Sequence, residues 1–154
     1  MNAPEPVAAI LERFLGEEGW EFSHAGEDEA YLLSFAGDER TWECLALARE
    51  AERQVVFYSL CPAPVSRGAG AEILLLTNRV NWDLVVGDLE YDAGSGQVRL
   101  RTSVELGVNP EPVGLVRAVV HANLLLMNAY IAAVEAVASG ERGADEALAL
   151  VRNR

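Results

Sequence analysis

The chain has 154 residues, of which 51% are apolar, with 24 acidic side chains against 12 basic ones and a formal net charge of -12. This composition indicates an acidic globular domain and excludes a disordered or fibrous chain. All the basic side chains are arginines, so chemistry that requires a lysine, such as Schiff-base catalysis or a Walker A phosphate loop, is excluded. The negative charge argues against direct binding to nucleic acid or to an anionic membrane surface.

The charge is unevenly distributed along the sequence. Residues 1–52 hold 13 acids and 3 arginines, a net of -10, whereas residues 53–154 hold 11 acids and 9 arginines, a net of -2. Met1 to Pro6 contain neither a basic region nor a long apolar run, so we expect no signal peptide and a cytoplasmic protein.

The first predicted element is an amphipathic helix that starts at Val7, with Gly16 and Gly19 expected to end it. Between Trp20 and Cys61 the apolar period falls to two, which predicts an antiparallel three-strand meander, with a possible short strand over 20–24 before it. The alternating positions are Tyr31, Leu33 and Phe35, then either Trp42 and Cys44 or Leu45 and Leu47, then Val56, Tyr58 and Leu60.

A proline- and glycine-rich loop follows the meander, and a second helix is predicted over 71–81, with Ile73, Leu76 and Val80 on one face. Two further strands, 84–92 and 97–106, are predicted to form a hairpin. If Asp92 lies opposite Gln97, two opposite-charge pairs form on the exposed face, Glu90 with Arg99 and Asp88 with Arg101.

The last major helix is predicted from Pro112 to about Ser139, and residues 144–152 are expected to add a turn or two. The order of elements predicts an α+β fold with two layers, in which helices cover one side of an antiparallel sheet made of the meander and the hairpin. We expect a single domain over residues 1–154.

The sequence carries no strong catalytic or metal-binding signature. Cys44 and Cys61 lack C-x-x-C spacing and are expected to be free thiols, and neither histidine has a second ligand at metal-binding spacing. The acidic run Glu27-Asp28-Glu29 lacks the ligand spacing of an EF-hand loop, so we interpret it as a solvated strand entry. No metal, cofactor or enzymatic activity is predicted.

The segment Asn78-Arg79-Val80-Asn81-Trp82 ends the second helix and has two interpretations. In the first, the asparagine amides cap the helix and Trp82 packs under the sheet. In the second, Asn78, Arg79, Asn81 and Trp82 bind a partner peptide in a groove.

The long helix is apolar around most of its circumference, apart from a narrow polar stripe formed by Arg117, His121, Asn128 and Glu135. Because one sheet face covers only one side of a helix about 40 Å long, the other side is predicted to pack on the same helix of a second subunit. The expected homodimer interface consists of Val116, Val120, Leu124, Met127 and Ile131. His121 is interpreted as a hydrogen-bonding core or interface residue.

The stretch from Leu75 to Thr102, with N-R-x-N-W, V-V-G-D-L-E-Y-D and G-Q-V-R-L-R-T, resembles the YbjN family of bacterial proteins, which are described as sensory-transduction regulators. The best-matching positions are Asn78, Asn81, Trp82, Gly87 and Gly96. That family is similar in fold to the small, acidic, dimeric chaperones of type III secretion. The resemblance therefore implies a binding protein without catalytic residues.

The leading hypothesis is a non-enzymatic homodimer that binds another protein, as a chaperone-like adaptor or regulator, through sheet edges and apolar grooves. Its acidity would favour partners with basic surfaces, including nucleic-acid-binding proteins. The alternative is a small-ligand sensor or an unrecognised enzyme with a pocket bordered by Trp82 and Tyr91.

Overall fold

The computed structural model describes residues 2–26 and 29–152. Within these residues the elements follow the predicted order of helix, meander, helix, hairpin and long helix. They are α1 (Val7–Glu18), β1 (Ser23–His24), β2 (Ala30–Ala36), β3 (Thr41–Arg49), β4 (Gln54–Leu60), α2 (Gly70–Asp83), β5 (Asp88–Asp92), β6 (Gln97–Glu105), α3 (Pro112–Ala138) and α4 (Ala144–Arg152).

The six strands form one antiparallel sheet in the order β1-β2-β3-β4-β6-β5. After β4 the chain passes through α2 to the far edge of the sheet, and β6 then returns between β4 and β5. The predicted α+β fold, with an antiparallel sheet and helices packed on it, is confirmed.

The predicted register of the β5–β6 hairpin is also confirmed. Asp92 lies opposite Gln97, Glu90 opposite Arg99 and Asp88 opposite Arg101. The Nε of Arg99 is 3.2 Å from a carboxylate oxygen of Glu90, and a terminal nitrogen of Arg101 is 3.5 Å from a carboxylate oxygen of Asp88. Opposite charges therefore meet twice across the hairpin, as cross-strand pairing favours.

The core lies between the sheet and the helices, with α1 against β3 and β4, α3 against β4 and β6, and α2 against β5. On β3 the buried side chains are Trp42, Cys44, Ala46 and Ala48, whereas Leu45 and Leu47 are half-buried. Of the two alternatives left open by the sequence, the alternation through Trp42 and Cys44 is therefore the one that faces the core.

The central strand β4 departs from simple alternation. Val55, Phe57 and Ser59 are fully buried, and the neighbouring Val56 is only 6% exposed. Tyr58 lies on the same face as Val56 and is covered by the guanidinium of Arg99, 4.2 Å from its ring centre. Because Arg99 of β6 covers Tyr58 on the second face of β4, apolar residues occur on both faces, and the predicted alternation through Val56, Tyr58 and Leu60 does not mark the core-facing side.

Several predicted element ends are displaced in the structure. Helix α1 continues through Gly16 to Glu18 and is capped by Gly19, whose φ of 71° is the left-handed conformation that favours glycine at a helix C-terminus. Helix α2 continues to Asp83, so β5 begins only at Asp88. The residues after Gly143 form a nine-residue helix, α4.

Helix α3 is long and apolar enough to span a membrane by length and composition alone. Its inner side, however, packs on the sheet within the same chain. Val116, Val120, Leu124, Met127 and Ile131 are between 0 and 5% exposed. The sequence-based assignment of these five residues to a homodimer interface is therefore corrected, because residues already enclosed by their own chain offer no surface to a second copy.

Candidate protein-binding surfaces

The end of α2 and the loop that follows it expose an unusual number of apolar side chains. Trp82 is 88% exposed and Val85 is 99% exposed. We define the α2 surface by seven of the exposed residues in this region, Leu74, Leu75, Asn78, Arg79, Trp82, Val85 and Val86. A large exposed apolar cluster on a folded domain is characteristic of an interaction site.

The structure separates two residues that the sequence had grouped together. Trp82 points into solvent, so the interpretation that it packs under the sheet is wrong. Asn81 instead turns toward β5, where its side chain accepts a hydrogen bond from the backbone N–H of Leu89 (2.8 Å) and donates one to the C=O of the same residue (3.0 Å). Asn81 therefore attaches α2 to the edge strand and leaves Trp82 on the outer side.

Gly87 and Gly96, two of the positions that best match the YbjN family, also have structural roles. Gly87 has a φ of 86°, and a Cβ there would lie 3.0 Å from the backbone oxygen of Arg101. Gly96 has a φ of 76° in the β5–β6 turn. Asn78 and Trp82, by contrast, project from the fold.

Arg79 lies on the α2 surface and contacts α4. Its Nε is 3.4 Å from a carboxylate oxygen of Asp145, and both side chains are more than half exposed. Such a pair contributes little to stability because water screens it, so the guanidinium is accessible to another binding group.

The pocket expected between Trp82 and Tyr91 is not formed by this pair. Tyr91 borders a cleft of about 290 Å³ on the β5–β6 hairpin, together with Glu90, Asp92 and Arg99. Trp82 is on the outside of α2 and is not among the residues lining that cleft.

A different groove lies between α3 and the β2–β3 turn, and sequence reasoning did not find it. It has a volume of about 300 Å³ and is lined by Trp20, Phe35, Ala36, Gly37, Asp38, His121, Leu124, Leu125 and Asn128. We call it the Trp20 groove. The indole of Trp20 stacks on the imidazole of His121, with ring centres 5.9 Å apart, and meets Phe35 edge-on at 6.1 Å.

The polar stripe predicted on α3 forms contacts within the chain. Arg117 pairs with Glu17 at 2.7 Å and Glu18 at 3.0 Å, and His121 lies 3.2 Å from the same Glu18. The carboxamide of Asn128 accepts a hydrogen bond from the backbone N–H of Asp38 and donates one to the Asp38 carboxylate, both at 2.9 Å.

Glu135, at the end of the stripe, pairs with Arg40 at 2.6 Å. The stripe therefore attaches α3 to α1 and to the β2–β3 turn. His121 is a partner of Glu18 and Trp20 on the rim of the groove, where its side chain remains about half exposed.

Beneath α3, Asn123 forms a fully buried polar network that no sequence pattern predicted. Its carboxamide donates to the backbone oxygens of Phe57 (3.0 Å) and Leu100 (3.1 Å) and accepts from the hydroxyl of Ser59 (2.6 Å). Ser59 in turn accepts from the indole N–H of Trp42 at 2.9 Å. Because its polar atoms are hydrogen-bonded inside the protein, this network supports a structural role and not a catalytic one.

The described residues contain no group of three or more side chains placed to hold a metal ion. Both cysteines are free and buried, and burial raises the pKa of Cys44 to about 12 and that of Cys61 to about 11. Neither thiol is therefore a nucleophile near neutral pH. Glu27 and Asp28, which open the acidic run considered above, lie outside the described residues.

Comparison with solved structures shows the same fold in proteins of low sequence identity. YbjN from E. coli aligns with a TM-score of 0.63 and 15% identity, over 88% of this chain and 94% of that one. The HopA1-SchA chaperone-effector complex contains a chain that matches with a TM-score of 0.51 and 12% identity, over 78% and 88% of the two chains.

A chain of the ExsC-ExsE complex matches with a TM-score of 0.50 and 20% identity, over 79% of this chain and 87% of that one. No curated protein matches the sequence. The YbjN family model, described as "Putative bacterial sensory transduction regulator", matches residues 8–134. Because that match spans most of the sequence, the chain belongs to the YbjN family.

Proposed function

We propose that this protein is a non-enzymatic, homodimeric adaptor or regulator of the cytoplasm that binds a partner protein. Family membership supports a regulatory role, and the fold shared with chains of a chaperone-effector complex and of the ExsC-ExsE complex supports protein binding.

The observation that carries the proposal is the exposure of Trp82 at the centre of the α2 surface. Tryptophan and arginine are the residue types that most often dominate the energy of protein interfaces, particularly where smaller apolar residues surround them. Here Trp82 is 88% exposed beside Arg79, Val85 and Val86. The sequence-based partner site of Asn78, Arg79 and Trp82 is therefore kept in the proposal, with Asn81 as the residue that positions α2.

Affinity capture from the native cell, followed by mass spectrometry, tests the partner site. We expect the Trp82→Ala variant to lose the partner that the unaltered protein captures, because a central interface tryptophan typically contributes 2 kcal/mol or more, about thirtyfold in affinity. Val108→Ser is the matched control, since Val108 is 92% exposed in the loop after β6. Equal capture by the unaltered protein and Trp82→Ala would contradict the proposed surface.

The homodimer is a separate part of the proposal. The inner side of α3 packs on the sheet, so we place the subunit contact on its outer side. Ala118 and Ala129 are exposed there and carry no charge, which supports this placement. Light scattering at micromolar concentration should give twice the chain mass of 16.7 kDa. We expect Ala129→Arg to restore a single-chain mass, because it places a charge in an apolar contact. A single-chain mass for the unaltered protein would remove the homodimer and leave the adaptor proposal standing.

The alternative of a small-ligand sensor is supported by the Trp20 groove, whose volume of about 300 Å³ and aromatic lining fall at the lower limit for ligand pockets. Thermal denaturation with a metabolite library separates the two functions. A saturable rise in Tm with one compound would favour the sensor, since a ligand that binds only the folded state raises its stability. An adaptor should show no such rise.

A further inference from the structure

The outer edge of β2 is only partly covered. Strand β1 pairs with it at two positions, Ser23 opposite Leu32 and His24 opposite Tyr31. Beyond Ser23 toward the N-terminus, the chain leaves the edge, and the backbone N–H groups of Gly19 and Trp20 bond to carbonyls of α1 at Gly16 and Leu15. Among the residues that the structure describes, no strand pairs with the second half of β2, from Leu33 to Ala36, on that side.

The direction of the free backbone groups follows from the hydrogen bonds on either side of β2. The carbonyl of Ala30 accepts from Ala25, on the outer side, whereas the N–H of Gly37 donates to Arg40 across the β2–β3 turn. Because backbone groups alternate sides from one residue to the next along a strand, even-numbered residues face outward. The N–H and C=O groups of Ser34 and Ala36 therefore point toward the open edge.

A concavity of about 760 Å³ lies along this edge. It is lined by residues 19–23 on one side and residues 32–36 on the other, together with Glu43. It shares Trp20, Phe35 and Ala36 with the Trp20 groove. An added strand would therefore have backbone groups to pair with and an adjoining aromatic groove for a side chain.

The charged side chains around the free edge of β2 indicate the chemistry of a strand that could bind there. The charged side chains that line the concavity are Glu21 and Glu43, both acidic, and Asp38 lies in the adjoining groove. Tyr31, Leu33 and Phe35 lie on the helix-facing side of β2, whereas Ser34 lies on the opposite side, where its hydroxyl bonds to Glu43 at 2.9 Å. A strand added here would place apolar side chains toward Trp20 and Phe35 and basic ones toward the carboxylates.

We infer that the free edge of β2 binds an extended segment of a partner protein in which apolar residues alternate with lysine or arginine. The segment pairs with the backbone of Ser34 and Ala36, places an apolar side chain in the Trp20 groove against the rings of Trp20 and Phe35, and directs its cations toward Glu21 and Glu43. This inference rests on the proposed protein-binding function and adds to it a second surface and the chemistry of the segment bound there.

The test uses a synthetic peptide, Lys-Val-Lys-Phe-Lys-Val-Lys, with fluorescein on its N-terminus and an amidated C-terminus, and measures its binding to the 154-residue protein by fluorescence anisotropy. Ser34→Pro removes the outward N–H while leaving the β2–β3 ladder unaffected, since proline is tolerated on an edge strand whose N–H faces solvent. We expect this variant to weaken binding at least tenfold. Ser34→Ala is the matched control, because it removes the hydroxyl but keeps the N–H, and it should bind within twofold of the unaltered protein.

Two changes in the probe test the segment chemistry independently of the variants. Replacing every lysine by glutamate should abolish binding, and replacing the central phenylalanine by alanine should weaken it at least fivefold. If Ser34→Pro fails to fold, as judged by circular dichroism, backbone N-methylation of alternate peptide residues takes its place. One of the two N-methylated registers should lose binding and the other should retain it, because only alternate N–H groups of a strand point at its neighbour.

Three results would overturn the inference. The first is no binding of the lysine peptide at 1 mM, and the second is equal binding by Ser34→Pro and Ser34→Ala. The third is that the unaltered protein is a dimer and the Ser34→Pro variant is a monomer. That result would show that the edge of β2 pairs with a second copy of the chain. None of these results bears on the α2 surface, which is tested by the Trp82→Ala capture.

Discussion

Gly37 occupies a position in the β2–β3 turn where a side chain has no space. A Cβ there would lie 2.5 Å from the Oδ1 of Asn128 and 2.5 Å from a ring carbon of Trp42. Trp42 is only 2% exposed and is held by its bond to Ser59, so it cannot move away easily. We expect Gly37→Ala to lower the free energy of unfolding by about 2 kcal/mol, as overpacking does, in urea denaturation.

Gly114 provides the control for that variant. It lies inside α3, and a Cβ there would have nothing within 4 Å. Gly114→Ala should therefore raise stability by about 0.5–1 kcal/mol, through helix propensity. If Gly37→Ala proved as stable as the unaltered protein, the close contact between the turn and α3 would be wrong.

The two cysteines allow a second prediction for individual residues. Because burial raises their pKa values to about 12 and 11, neither thiol should react with a thiol reagent such as Ellman's reagent at pH 8 in the folded protein. Both should react within seconds to minutes in denaturant, where the pKa returns to about 8.5. Rapid labelling of one thiol in the folded state would contradict its burial.

Among the elements, α3 is held in place on the sheet by Asn123. This side chain connects α3 to β4 and β6, through Ser59 and the backbone oxygens of Phe57 and Leu100. Asn123→Leu should lower the free energy of unfolding by about 3 kcal/mol, because the buried hydroxyl of Ser59 and the two carbonyls would lose their partner. Chemical denaturation measures the change. A double variant that also carries Ser59→Ala should cost less than the sum of the two single changes, since the residues are coupled.

The elements also differ in how well sequence predicted them. The β5–β6 hairpin was predictable to the register, because the alternation of Val98, Leu100 and Thr102 and the two charge pairs agree on one alignment. The core-facing side of β4 was not predictable, because Val56 and Tyr58 on its other side are also apolar, and Tyr58 is covered there by Arg99 of β6.

The candidate sites were predicted less well than the fold. Trp82 was found as a partner-site residue, but its exposure was not decided by sequence, since a tryptophan on an amphipathic helix is more often buried. Asn123 is a single amide away from the polar stripe of the 27-residue apolar helix α3, so no periodic pattern marked it as part of a buried network. The Trp20 groove combines α3 with the segment after α1 and the β2–β3 turn, and such a site depends on tertiary packing that no local pattern reports.

For the whole molecule, we expect the net charge to influence the rate of association with a partner. A dimer would carry a formal charge of -24, twice the -12 of one chain. Attraction to basic surfaces at long range is screened by salt, with a Debye length of about 10 Å at 0.1 M. We therefore expect the association rate with the captured partner to fall at least tenfold between 0.05 M and 0.5 M NaCl, as measured by surface plasmon resonance. A rate insensitive to salt would refute electrostatic steering and leave apolar binding as the source of affinity.

The strand order has a consequence for synthesis on the ribosome. A nascent chain that has emerged as far as Leu60 can pair β2, β3 and β4, but the neighbour of β4 on its other side is β6, which ends only at Glu105. Helix α3, which packs on β4 and β6, follows later still, whereas α1, which packs on β3 and β4, has already been made. About two thirds of the polypeptide must therefore leave the exit tunnel before the sheet is complete. During that interval the nascent chain exposes the unpaired edge of β4 and the apolar side chains of β4 that α3 later covers, and such features make folding intermediates prone to aggregation.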